Sequence, residues 1–355
     1  MTTDARTPID LVRDLLGRLR LDEPIGAAGL TLLPVGGTEP GPDYRTAAQG
    51  FAAGTLSIGE LAGGRVPQLV VRNTDDLPVL LLDGEHLEGA MQDRVLNVSV
   101  LAAARHDTVI PVSCVERGRW GAVDGRAGFA PAPDLAHAEL RAMKARQVSL
   151  SQRLGQGPRT DQGALWDDVE RTRARIGASA SRTGKLGDAY DDRRADLDEI
   201  RAAFPAPAPA RSGVLAVAGG RVLALDVFDR PETLASVWDR LVRGYAVDAL
   251  GVPVPADRDA DELAARRFVA EAGSPGNEAT SHEGVGLGID VVVTSPDTVA
   301  GALTWSGAVI HLAAFPGTAA PPRGARGPGE RIERPTRRAQ AHRRTWFHDG
   351  GGERP

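Results

Sequence analysis

Between residues 80 and 120 the chain places Asp83, Glu85, Glu88, Gln92, Arg94, Asn97, Glu116 and Arg119 among short apolar runs. Charged side chains this dense, between segments this apolar, either pair with one another or meet a ligand. Carboxylates gathered at a strand rim could hold a divalent cation or accept hydrogen bonds from ribose hydroxyls. Arg94 or Arg119 could clasp a phosphate, because the planar guanidinium fork matches phosphate oxygens. In a hydrolytic reading Glu85 or Glu116 is the general base, acting on water directly or through a bound cation, and Asp83, Glu88, Gln92, Arg94, Asn97 and Arg119 line the pocket. The competing reading is an ion-pair network in which the arginines neutralise the carboxylates and pin a loop.

These groups need elements to position them. Residues 79–82 read as a buried strand that ends at Asp83-Gly84, where Gly84 can supply the positive φ of a tight turn. Residues 85–93 read as a polar loop or short helix, and the chain returns to a strand at Arg94. Residues 94–101 and 108–115 form two β-branched runs joined by a polar turn near 105–107. Alternation puts Asn97 and Ser99 on one face of the first run, and Ile110, Val112, Cys114 and Glu116 on one face of the second. Glu116 then stands at a strand end, where charge is tolerated. His86, inside the acidic loop, reads as solvated, and His311 as a structural residue of a later strand.

Across the whole chain the pattern is α+β. Residues 1–132 read as a β-rich antiparallel sandwich or barrel-like domain, preceded by an amphipathic helix that opens at Thr7-Pro8-Ile9-Asp10. Residues 133–204 switch to helical spacing over 134–153, 161–176 and 185–204, a helical insertion. Residues 205–210 alternate Pro and Ala, a stiff spacer. Residues 211–317 carry a hairpin around Gly219-Gly220, a helix opened by Pro231, a helix near 261–272 and three strands. Together these predict a C-terminal antiparallel sheet with helices on one face. Residues 318–355, rich in Pro, Gly and Arg, predict a disordered tail that could recruit a protein partner.

Composition narrows the classes. Lys and Arg number 42 against 47 Asp and Glu, so the formal net charge of -5 argues against dedicated nucleic-acid binding. Cys114 is the single cysteine, which excludes an intrachain disulfide and a Cys-rich zinc site; inside an apolar run it reads as a core thiol. No run approaches the ~18 apolar residues of a membrane span, and charges interrupt every window that could serve as a signal peptide, so a cytoplasmic protein is expected. The glycines at 284, 286 and 288 lack the strand-turn-helix context of a dinucleotide fingerprint. Lys144 and Lys185 are the only lysines in an Arg-rich chain.

The motif residues also resemble a known family. An apolar strand at 80–82 leads to Asp83-Gly84-Glu85, then Gly89 and Gln92, Arg94-Val95-Leu96-Asn97, and the run 110–120. Asp161-Gln162 with Trp166, Asp226 with Phe228 and Asp229, Arg243 with Tyr245, Asp248 and Ala249, and His311-Leu312 with Phe315 extend the match. This pattern resembles the bacterial ARG-and-rhodanese-phosphatase-superfamily-associated protein family, whose name records an association with ADP-ribosylglycohydrolases. The resemblance implies a role near ADP-ribose or phosphorylated-nucleotide metabolism, with a small-molecule nucleotide derivative as partner. Met91 and Asp93 stand where relatives often carry a basic residue and Asn, and Ile289 and Val292 stand near an acidic residue and Arg of relatives. The leading expectation is a protein that binds or hydrolytically processes ADP-ribose or a related nucleotide derivative. A noncatalytic interaction module and a carboxylate-based, metal-dependent phosphoesterase are the alternatives.

Overall fold

A computed structural model describes residues 6–61, 67–119, 128–207, 210–253 and 259–317. The 318–355 tail, residues 208–209 of the spacer and Trp120 lie outside the described residues. Residues 1–318 cluster as one compact unit, and among the described residues no helix is long and apolar enough to cross a membrane.

The β-rich part closes into a six-stranded barrel. Its order runs His106–Cys114, Gln68–Asn73, Leu56–Glu60, Gly128–Pro131, His86–Gly89 and Arg94–Leu96, and the last strand pairs back with the first. Leu69, Val71, Leu87, Leu96, Ile110 and Val112 fill its core. The expected run over 94–101 is broken. Arg94–Leu96 stays in the barrel, while Val100–Ala102 pairs with Val79–Leu81 in a separate three-stranded sheet. Polar side chains cause the break. Asn97 Oδ1 accepts from Ser113 Oγ at 2.7 Å, and Ser99 Oγ accepts from the Asp83 amide at 2.9 Å, so local side-chain bonds compete with the ladder. The segment expected as a loop or short helix after Glu85 contains the strand His86–Gly89, and it buries His86, which is 1% exposed rather than solvated.

A nine-stranded antiparallel sheet forms the other part. Leu30–Gly36, Gly213–Ala218, Arg221–Phe228, Ala308–Pro316, Thr298–Trp305, Ile289–Thr294 and Glu278–Glu283 follow one another, with Arg20–Leu21 and Ile25–Ala27 at the Leu30–Gly36 edge. The first strands of the chain therefore join this sheet, not the barrel, and the segment 1–132 contributes to both. Helices cover both faces, where sequence reading expected one. Val214 and Ala216 pack toward Leu234 and Leu241 of the helix Pro231–Ala249. Leu215 and Val217 pack toward Val12 and Leu16 of Pro8–Arg18 and Phe268 of Asp259–Ala272. Strand Gly213–Ala218 is buried at every position, so its alternate side chains need an apolar layer on each side. Thr7 caps the first helix in a capping box with Asp10.

The helix Ala138–Arg153 lies between barrel and sheet, and the barrel rim turns onto it at Gly84, whose φ is 81°. A Cβ built there would stand 2.7 Å from Arg141 Cδ. Gly84→Ala should therefore destabilise the fold by about 1–3 kcal/mol, combining left-handed strain with overpacking. Urea unfolding tests this; wild-type stability in the variant would mean that Arg141 is not held as described.

Candidate functional site

The helix Ala138–Arg153 carries two cations into the interior. Arg141 and Lys144 are buried, on one face at i and i+3. Arg141 Nε donates to Asp83 at 3.2 Å, and its two terminal nitrogens donate to Asp226 at 3.0 and 2.6 Å. Lys144 Nζ donates to the other Asp83 oxygen at 2.8 Å and to the Leu96 carbonyl at 2.5 Å. Asp226 also accepts from the Tyr245 hydroxyl and lies 3.2 Å from His311 Nε2, and His311 Nδ1 lies 2.7 Å from Ser99 Oγ. Burial opposes the Arg141 charge, but Asp226 and Asp83 outweigh it and raise its pKa above the ordinary value. Burial likewise opposes ionisation of Asp226, and Arg141 and His311 outweigh it to hold the carboxyl well below the usual range. Lys144 is pushed down by burial against the pull of Asp83. Two carboxylates and two cations thus balance inside the protein.

A cavity of about 60 Å³ adjoins this network. Asp83, Asn97, Ser99, Gln152 and Asp290 supply its polar lining, and Val148, Leu303 and Phe315 are among its apolar walls. The space suits a few waters or one small polar group, at ~10–15 Å³ per water. Asp290 Oδ2 and Gln152 Oε1 are buried without a hydrogen-bond donor. Burial alone pushes the Asp290 carboxyl up to about 7. Beside the cavity, sharing Val299, runs an open groove of about 720 Å³ lined by Arg146, Arg153, Glu271, Glu278, Asn277 and Thr294 among others. Arg153 lies 3.0 Å from Glu278 and donates to Thr294; Arg146 donates to the Pro316 carbonyl at 3.1 Å.

The eight residues singled out from sequence do not ring one hollow. Asp83 and Asn97 line the cavity. Glu85 is buried 2.6 Å from Arg240 Nη1, close but not aligned as a hydrogen bond. Glu116 is buried too, not at a charge-tolerant rim. It accepts from Arg119 Nε at 2.9 Å with both oxygens, and from the Asp93 amide at 3.1 Å. Both Glu116 oxygens are thus taken by Arg119, whereas Glu85 lines a separate small cavity with Arg240, Thr233 and Val237. Gln92 donates to the Glu116 carbonyl at 2.9 Å and accepts from Arg94 at 3.2 Å, while Glu88 pairs with Lys185 at 3.0 Å. Arg119 is committed to Glu116, Asp93 and the Ala90 carbonyl. Cys114 is buried, and burial pushes its thiol up, as an inert core thiol requires.

Sequence reading missed Asp290 and Gln152. A signal for Asp290 existed: it is the one acidic residue in the run Ile289–Thr294. Gln152 had no such signal, since a helix-end Gln reads as solvated.

A family model described as the ARG and Rhodanese-Phosphatase-superfamily-associated Protein domain matches residues 18–315. No curated protein and no solved structure matches the chain.

Asp290 gives a pH signature. Its folded pKa of about 7 lies above the unfolded value near 3.8, so the native state binds the extra proton. Stability from this group is full below pH ~4 and is lost as pH rises through about 7. Asp290→Asn removes that dependence. Between about pH 5 and about pH 8, wild type should lose roughly 2–3 kcal/mol relative to the variant. Parallel urea curves at the two pH values check this.

Proposed function

This chain belongs to the ARG and rhodanese-phosphatase-superfamily-associated protein family, whose matching model spans residues 18–315, and on that premise we propose that it binds, or hydrolytically processes, ADP-ribose or a related nucleotide derivative. The ligand would lie where the groove along Ala138–Arg153 meets the cavity at Asp290. One observation carries the reading: two buried acceptors, Asp290 Oδ2 and Gln152 Oε1, lack donors in a cavity that adjoins a groove where Arg146 and Arg153 stand with Glu271 and Glu278. A buried acceptor without a donor is costly, and a ligand hydroxyl satisfies it. Guanidinium groups pair with phosphate. A ribosyl phosphate carries both kinds of group. The cavity holds only the hydroxyl end of such a molecule, and the phosphates fall to the groove.

In the hydrolytic form of the proposal the general base is Asp290, not Glu85 or Glu116. A carboxyl held near 7 can both take and return a proton at neutral pH. Glu85 and Glu116 serve instead to hold Arg240 and Arg119. A second reading, a noncatalytic interaction module, draws on the same pairing, since most of the acidic loop is neutralised within the protein.

Thermal shift separates the two. ADP-ribose at about 100-fold over its Kd should stabilise wild type by about 2.7 kcal/mol, a rise of several degrees in Tm. Asp290→Asn and Arg153→Ala should each weaken binding about tenfold or more. If neither ADP-ribose nor another nucleotide derivative shifts wild type, the ligand reading fails and the module stands.

A further inference from the structure

We infer that His86, Glu88 and Asp93 form a site for one divalent transition-metal cation, with Lys185 as the internal competitor that occupies it when no metal is bound. The three side chains each present a ligand atom, and these atoms lie within 4.8 Å of one another. The site stands on the barrel strand His86–Gly89 and the turn after it, apart from the Asp290 cavity.

The imidazole is the decisive observation. His86 is 1% exposed, yet neither of its ring nitrogens has a hydrogen-bond partner. Asp93, also 1% exposed, leaves Oδ2 without a hydrogen bond, and this oxygen lies 3.7 Å from His86 Nε2. Buried imidazoles normally find a donor or acceptor for at least one nitrogen. At 3.7 Å the two atoms are too far apart for a hydrogen bond, within ion-pair range only of a protonated imidazole, and well separated to share an ion. Two donors each about 2.1 Å from a tetrahedral cation stand about 3.4 Å apart.

Charge points the same way. The other Asp93 oxygen is taken by Arg119 at 3.1 Å, and the Gly89 amide donates to it at 3.2 Å. That fixes the carboxylate and leaves Oδ2 toward His86 and Lys185. Lys185 Nζ stands 3.3 Å from Asp93 Oδ2 and 3.0 Å from Glu88 Oε1. A single ammonium between two carboxylates marks where a cation is stabilised, and a divalent ion matches their combined charge. Lys185 and Glu88 are partly exposed, at 24% and 35% of their side chains, so the ammonium can leave toward water and an ion can enter by the same side. One imidazole nitrogen and two carboxylates, with no thiolate, suit Mn²⁺ or Zn²⁺.

The test needs no nucleotide, so its outcome is independent of the ADP-ribose reading. Metal-stripped full-length protein is titrated with Mn²⁺, followed by loss of the free-ion electron paramagnetic resonance signal, and with Zn²⁺ by calorimetry. One ion per chain is expected for at least one of the two. Lys185→Met removes the competitor and should tighten binding about tenfold, while His86→Ala should weaken it about tenfold or more. Binding of neither metal by wild type or Lys185→Met, no tightening in Lys185→Met, or full affinity in a folded His86→Ala would each overturn the inference. Should His86→Ala fail to fold, the Lys185→Met comparison decides, because a gain in affinity is not produced by misfolding.

Discussion

The clasp of Arg141 between Asp83 and Asp226 is the interaction on which the remaining geometry depends. Asp83 leaves the rim of the β-rich part, Asp226 belongs to the large sheet, and Arg141 projects from the helix between them. One guanidinium therefore ties three layers together. Its five donors in a rigid fork allow this; a lysine would offer a point charge without direction. Lys144 completes the neutrality of the group, and Tyr245, His311 and Ser99 use the remaining lone pairs and protons. A buried group of this kind adds little net stability over an apolar core, but losing one partner strands a charge.

The same logic separates structural charges from those free to meet a ligand. Glu85, Glu116 and Asp83 are each matched to a cation of the chain itself. Asp290 faces a cavity with no cation beside it, and His86 faces Asp93 across a gap. Density of charge along the sequence marked the first group. Absence of a partner in space marks the second.

Much of the architecture was legible in the residues. The Thr7 capping box, the Gly219-Gly220 hairpin and the helix opened by Pro231 stand where their local chemistry puts them. Local signals failed where a polar side chain redirected the backbone, as Asn97 and Ser99 do in dividing one apolar run between two sheets. They failed again where long-range pairing decided. The strand Leu30–Gly36 pairs with Gly213–Ala218, and nothing near either announces the other. The two lysines were a missed clue. In a chain that otherwise uses Arg, both sit among carboxylates, Lys144 against Asp83 and Lys185 against Glu88 and Asp93.

The helix Ala138–Arg153 also has a mechanical consequence. Its first half is bolted to the interior at Arg141 and Lys144, while Gln152 and Arg153, roughly 12–18 Å further along its axis, reach the cavity and the groove. The two ends form one stiff rod. Asp83, to which the bolt is fastened, and Gln152 line the same cavity, so one helix carries both the anchor and a wall of the space beside it. Whatever fills that cavity therefore touches the element that joins barrel to sheet.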